Sequence, residues 1–200
     1  MIKLIIGLGN PGAEYQKTYH NIGQIFLNSI VKSPWKRIAR KHFVYSELGG
    51  VILIKPTCFM NESGIAANEA LSYFKIIPSS LLVVHDDSDF IWGTHKIAFA
   101  QGPAGHNGVK SIILNLGTKN FWRLRVGVRE NKEVLKDEST TPILRQGYDG
   151  QAKLPPTLKL WRTSRRTKSG DFVLKKLTKK HQNEAGESFA NLQKEILQIS

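Results

Sequence analysis

The sequence predicts an α/β fold with a mostly parallel or mixed sheet. Three observations carry that reading. Short strand-like segments recur at 3–7, 51–55, 79–84, 96–100 and 122–128, the first an apolar run with β-branched residues. Segments of helical periodicity alternate with them, the pattern of strands joined through helices. The run Leu81 to Val84 is continuously apolar, as expected of a parallel strand covered on both faces. At 200 residues and 40% hydrophobic content, the chain is long enough to bury a substantial core.

Each element has its own justification. Strand 3–7 runs into Gly9-Asn10-Pro11-Gly12, a cluster of turn residues. A helix follows from about Asn21, with Ile22, Phe26, Leu27 and Ile30 at spacings of three and four. Strand 51–55 is ended by Pro56, and Ser63–Phe74 is helical, with Ile65, Ala66, Ala70, Leu71 and Phe74 assigned to one face. Residues 106–116 suit a helix closed by Gly117 at its C-cap, and 122–128 alternates in strand fashion. Residues 184–199 carry Phe189, Leu192, Ile196 and Ile199 at helical spacing. The stretch 131–170, with Pro142, Gly147, Gly150, Pro155 and Pro156, shows little periodicity and is expected to be a loop or partly disordered insertion. Between Lys153 and Lys180 stand ten Lys or Arg residues against one acid, Asp171. No internal repeat is visible.

Charge narrows the partners. Lys and Arg total 29 against 16 acids, a net charge of +13 and a pI near 9.9, which favours a polyanionic partner, nucleic acid or an anionic membrane face. No apolar run approaches the roughly 18 residues of a spanning helix. The start at Met1 lacks the charged and apolar regions of a secretory leader. The single cysteine, Cys58, excludes an internal disulfide and a multi-cysteine zinc site. A reducing, cytoplasmic location is expected.

Several short motifs fall at or near the C-terminal ends of predicted strands, the edge at which α/β sheets bind ligands. Gly7-Leu8-Gly9-Asn10-Pro11-Gly12 matches a nucleotide-binding spacing, but Pro11 removes an amide donor and no helix starts directly after Gly12. A plain tight turn, or a turn that holds Asn10 at the edge of a site, fits as well. His20 is the best general-base candidate, because imidazole exchanges protons near neutral pH. Asp86, following the strand ending at Val84, has the chemistry to orient such a base and to stabilise its imidazolium. Asp86, Asp87 and Asp89 could instead hold Mg²⁺, or Asp87 and Asp89 could simply bond nearby amides. No Gly-x-Ser-x-Gly elbow is present, and Cys58 has no charged sequence neighbour, leaving water as the nucleophile.

Taken together, Gly7-Leu8-Gly9-Asn10-Pro11-Gly12-x-x-Tyr15, Thr18-x-His20-Asn21, Lys55-Pro56-Thr57-x-Phe59-Met60-Asn61-x-Ser63-Gly64, His85-Asp86-Asp87-x-Asp89, Gly105-His106-Asn107-Gly108 and Arg123-Leu124-Arg125-Val126-Gly127 resemble the bacterial-type peptidyl-tRNA hydrolase family, in order and spacing. The resemblance implies a single three-layer α/β/α domain spanning 1–200 around a twisted mixed, mostly parallel sheet, with a basic insertion at about 131–170. It implies hydrolysis of the ester between peptide and tRNA, without metal or organic cofactor, by a monomer that does not engage membranes. Under it His20 activates water, Asp86 holds His20, and Asn10 helps tell blocked from free aminoacyl-tRNA. Asn61 and Asn107 bind the ester and 3′-terminal region, and Tyr15 and Phe59 line the pocket. Arg125, with Lys96, grips the tRNA 5′ phosphate. Three departures stand out: Ala98 occupies a position that is often basic, the basic insertion is longer than usual, and the C-terminal helix is expected to be shorter than the family's. A relative that only binds RNA is the alternative to the enzyme.

Overall fold

Leu4–Gly7 form β1, and burial of all four residues explains why so short a strand is apolar throughout. Leu4 and Ile6 point into one core cluster and Ile5 into the other, so β1 is covered on both sides. Residues 1–130 and 172–198 are described by the structure, a computed structural model. After β1 come α1 (Ile22–Ile30), β2 (Lys36–Arg37), β3 (Phe43–Leu48), β4 (Val51–Pro56), α2 (Ser63–Phe74), β5 (Leu81–Ile91), β6 (His95–Phe99), α3 (Asn107–Leu116), β7 (Trp122–Arg129) and α4 (Lys179–Gln198).

The seven strands form one sheet in the order β2-β3-β4-β1-β5-β7-β6. The central neighbours β4-β1, β1-β5 and β5-β7 are parallel, whereas β2-β3, β3-β4 and β6-β7 are antiparallel. The sheet is therefore mixed, with a parallel centre and antiparallel edges. One face packs Ile5, Leu53, Leu82, Val84 and Leu124 against Phe26 and Leu27 of α1 and Phe189 and Leu192 of α4. The other packs Leu4, Ile6, Ile54 and Val83 against Ala66 and Ala70 of α2 and Val109 and Ile112 of α3. This is the expected three-layer α/β/α arrangement.

Differences from the sequence reading have physical causes. The strand expected at 79–84 runs on to Ile91, because β7 continues to pair with it beyond Val84, from His85↔Arg125 to Asp87↔Gly127. Polar residues His85, Asp86 and Asp87 therefore lie within β5 rather than after it. Strand β3 escaped notice because its residues Phe43–Leu48 alternate only partly; it is fixed by pairing with β4 through the Gly49-Gly50 turn, both glycines at positive φ. Ile65 is not on the buried face of α2: it is 38% exposed, and Ala66, Ala67, Ala70 and Leu71 make the contact instead. The last helix starts at Lys179, five residues before the expected 184. The insertion expected at 131–170, and Ile199, lie outside the described residues.

Close approach at one point fixes how α1 meets the sheet. A Cβ at Gly23 would run into the carbonyl oxygen of Val84 and the amide of Leu8, and one at Gly7 into the carbonyl of Gly23. The gap is closed by Leu8 N–H donating to Val84 O (3.0 Å) and Gln24 N–H donating to Leu8 O (3.2 Å). Gly23→Ala is expected to destabilise the fold by about 1–3 kcal/mol, read from the urea midpoint. Gly186→Ala, on an exposed position of α4 with nothing within 4 Å of its Cβ, is expected to stabilise by about 0.5–1 kcal/mol.

Candidate active site

The site is assembled on the buried carboxylate of Asp86, 4% exposed, midway along β5 and just past its pairing with β1. A buried carboxylate is costly unless hydrogen-bonded. Here Oδ1 accepts two bonds: one from His20 Nδ1 at 2.8 Å and one from His106 Nε2 at 2.9 Å. His20 lies in a single 3-10 turn, Tyr19–Asn21, that leads into α1. His106 is the N-cap of α3.

The capping role of His106 decides its tautomer. Its Nδ1 accepts from the amides of Gly108 (3.1 Å) and Val109 (3.3 Å), two of the otherwise unsatisfied donors of the first turn. An accepting Nδ1 places the ring proton on Nε2, where it is donated to Asp86. With Oδ1 thus fixed, His20 donates Nδ1–H to the same oxygen, and its Nε2 is left as the basic nitrogen. Burial would raise the Asp86 carboxyl, but the neighbouring His106 and His20, with the hydrogen bonds they donate, overcome it and hold the group well below the usual carboxylate range. His85, fully buried beside them, donates Nδ1–H to the backbone oxygen of Asp86 (2.7 Å) and packs edge-on to His106 at 4.7 Å. Burial, then the neighbouring His106, pushes it well below its ordinary value, so it sits there as a neutral ring.

Asn10 is anchored from both sides. Its backbone N–H donates to Asn21 Oδ1 (2.8 Å), Asn21 Nδ2 donates back to its carbonyl (2.9 Å), and its own Oδ1 accepts from Met60 N–H (2.8 Å). The side-chain Nδ2 remains as the donor toward a ligand. The glycine-rich turn is thus a holder for Asn10; the Asn10 amide that a phosphate cradle would need is already engaged, and α1 begins only at Ile22. Tyr15 and Phe59 meet edge to face at 6.4 Å, and Phe59 is 52% exposed. Asn61 and Asn107 are both exposed, each following a residue tied into the site, Met60 and His106. The helices that follow them converge, Gly64 N–H donating to Ser111 Oγ at 3.0 Å.

Lys96 and Arg125 face each other across the β6–β7 ladder, and Ala98 faces the buried Arg123. Arg125 is not an unpartnered cation: Nε donates to Asp87 Oδ2 at 2.6 Å, and the guanidinium lies 4.7 Å over the Phe90 ring. That leaves its terminal N–H groups for a further acceptor. The alternative of Mg²⁺ on Asp86, Asp87 and Asp89 does not fit. Asp86 turns to the histidines, while Asp87 turns to Arg125 and to the amide of Asp89 (2.9 Å). Among the described residues, His20, Asp86 and His106 are the group whose ligand atoms lie within 4.8 Å of one another, and hydrogen bonding already accounts for that closeness. Cys58 is buried, its thiol pushed up chiefly by burial, as suits a packing residue.

Sequence reasoning gave roles to Asn10, His20 and Asp86 but none to His106 or Asn21. A histidine at a helix start, directly before Asn107-Gly108, was the available signal; its meaning needed the carboxylate beside it.

The chain resembles known proteins along most of its length. Residues 4–158 match the sequence model of the family described as peptidyl-tRNA hydrolase. A protein of Coxiella burnetii (strain CbuK_Q154) named peptidyl-tRNA hydrolase is 40% identical over 146 residues, 72% of this chain and 77% of that protein. One of the same name from Aquifex aeolicus (strain VF5) is 42% identical over 139 residues, covering 66% of this chain and 72% of that one. The crystal structure of peptidyl-tRNA hydrolase from Acinetobacter baumannii superposes with a TM-score of 0.70 at 25% identity, covering 94% of this chain and 83% of that one.

The Asp86 carboxylate carries a pH signature. A group whose folded pKa is depressed contributes stability above its unfolded value, and loses it as pH falls through the folded pKa. The stability margin of wild type over Asp86→Asn is expected to be full above about pH 4, the usual carboxylate range, and to shrink on further acidification. Urea midpoints of the two proteins between pH 7 and pH 2 measure it; a margin that grows toward acid would contradict the assignment.

Proposed function

Since the chain belongs to the peptidyl-tRNA hydrolase family, we propose that it hydrolyses the ester joining a peptide to the 3′-terminal ribose of tRNA, with His20 as the base that activates water. The observation that carries the mechanism is the 2.8 Å bond from His20 Nδ1 to Asp86 Oδ1, with His106 holding that same oxygen. In this scheme water gives a proton to His20 Nε2 and its oxygen attacks the ester carbonyl. The imidazolium is stabilised by Asp86. Collapse of the tetrahedral intermediate breaks the ester bond, and His20 returns the proton to the departing ribose oxygen. The free peptide acid and tRNA leave.

The surrounding residues divide the remaining work. Asn10 Nδ2 is directed to the peptide side, where an acylated amine differs from a free one. Asn61 and Asn107 supply amides for the ester and the developing oxyanion. Tyr15 and Phe59 offer aromatic faces for the terminal base. Lys96 and the terminal N–H groups of Arg125 hold the 5′ phosphate, adding salt-sensitive affinity that does not read sequence. The net charge of +13 suits a substrate that is mostly phosphate backbone. We place this chemistry on a monomer in the cytoplasm, within one domain interrupted by the basic segment at 131–170; among the described residues no helix is long and apolar enough to cross a membrane.

Release of acetyl-amino acid from acetyl-aminoacyl-tRNA tests the reading, run beside unblocked aminoacyl-tRNA and beside His20→Ala. Hydrolysis of the blocked substrate alone is expected, abolished in the variant while tRNA affinity stays near wild type. Tight tRNA binding with no cleavage by the wild type would make this an RNA-binding relative. The double variant Lys96→Ala, Arg125→Ala is expected to flatten the dependence of log affinity on log salt by about one to two. An unchanged slope would remove these residues from the phosphate grip.

A further inference from the structure

The segment carrying His20 is also held from the side away from Asp86, by contacts the scheme above does not use. Residues 17–19 pair with 175–177. Tyr19 N–H donates to Lys175 O (3.1 Å), Leu177 N–H donates to Lys17 O (2.7 Å), and Thr18 forms an antiparallel bridge with Lys176. The Tyr19 side chain, 2% exposed, stacks on Phe172 at 4.9 Å and meets the edge of Trp92 at 6.2 Å. Its hydroxyl lies 2.8 Å from Nδ1 of His181, in the first turn of α4. His181 in turn lies flat on Trp92, ring centres 4.1 Å apart. Burial raises the Tyr19 hydroxyl and lowers the His181 imidazole. Both groups stay neutral, so the tyrosine donates and Nδ1 accepts.

Packing alone does not need this bond, since a phenylalanine would fill the same aromatic box. What the hydroxyl adds is direction: it fixes the Tyr19 ring in its own plane, one residue before His20. We propose that Tyr19 and His181 are positioning residues for hydrolysis, setting the orientation of the His20 ring toward Asp86 from α4. Neither touches the reacting atoms. The inference rests on His20 being the base, and it makes the C-terminal helix part of the catalytic geometry rather than only of the core. Loss of the His181 acceptor leaves the buried hydroxyl to its second neighbour, Thr178, at the residue before α4. Tyr19 then turns toward Thr178, and the turn that carries His20 shifts with it.

The test compares Tyr19→Phe, His181→Leu and His181→Asn. The asparagine Oδ1 falls where Nδ1 of the histidine lies, so that variant keeps the acceptor. Steady-state hydrolysis of acetyl-aminoacyl-tRNA gives kcat and KM, and proton NMR follows the downfield His20 Nδ1–H, identified by its loss in His20→Ala. Tyr19→Phe and His181→Leu are expected to lower kcat by about ten- to a hundredfold at unchanged KM and to shift that resonance, while His181→Asn retains most of both. An unmoved resonance, or equal losses in the leucine and asparagine variants, overturns the proposal. Persistent hydrolysis in His20→Ala would instead remove the base assignment, and the resonance would still report whether His181 orients the ring.

Discussion

One carboxylate oxygen holds the site together. Asp86 Oδ1 takes a hydrogen bond from each of two histidines that reach it from different layers of the fold, one from the turn before α1 and one from the start of α3. Neither bond is independent of the rest. The His106 bond has the right proton because the first-turn amides of α3 occupy its other nitrogen. The turn that carries His20 is itself tied to residues 175–177 and, through Tyr19, to His181. Burial makes each partner necessary: in so dry a place an unpaired carboxylate would take up a proton and could no longer orient a base.

The sheet delivers these groups to one edge. Its parallel centre pairs Gly7, the end of β1, with Val84 of β5, so the turn that carries Asn10 and the residue Asp86 both follow the paired stretch in the same direction. The antiparallel hairpin edge β6–β7 places Lys96 opposite Arg125. Asp87 and Arg125, joined at 2.6 Å, link this cationic edge to the strand that carries Asp86. In the proposed scheme chemistry and phosphate affinity fall on neighbouring strands without sharing residues, so a change in salt is expected to act on the second while leaving the first intact.

Much of this was legible in the sequence. Helix Ser63–Phe74 and the Gly117 cap were readable because periodicity and a positive-φ glycine are local signals, and Gly117 sits at φ 65°. The polar half of β5 was not readable, since His85-Asp86-Asp87 breaks every apolar pattern and is held in a strand only by pairing with β7. Chemical type and a place near a strand end pointed to His20 and Asp86. His106 was missed as Asp86's second partner because an N-cap imidazole looks local, and its second bond spans 20 residues. Tyr19–His181 spans 162, a pairing no sequence window could present. Arg125 was recognisable as basic, but its pairing with Asp87 needed the β5–β7 register.

The most direct measurement of the central claim is the single-turnover rate of acetyl-aminoacyl-tRNA hydrolysis by Asp86→Asn against wild type, with tRNA affinity measured in parallel. An asparagine offers one carbonyl oxygen of weaker pull and cannot stabilise an imidazolium by charge. A rate lower by about 10²- to 10⁴-fold at near-wild-type affinity is expected. A variant that hydrolyses at close to the wild-type rate would show that the two hydrogen bonds on Asp86 serve the fold alone and that the base acts without them.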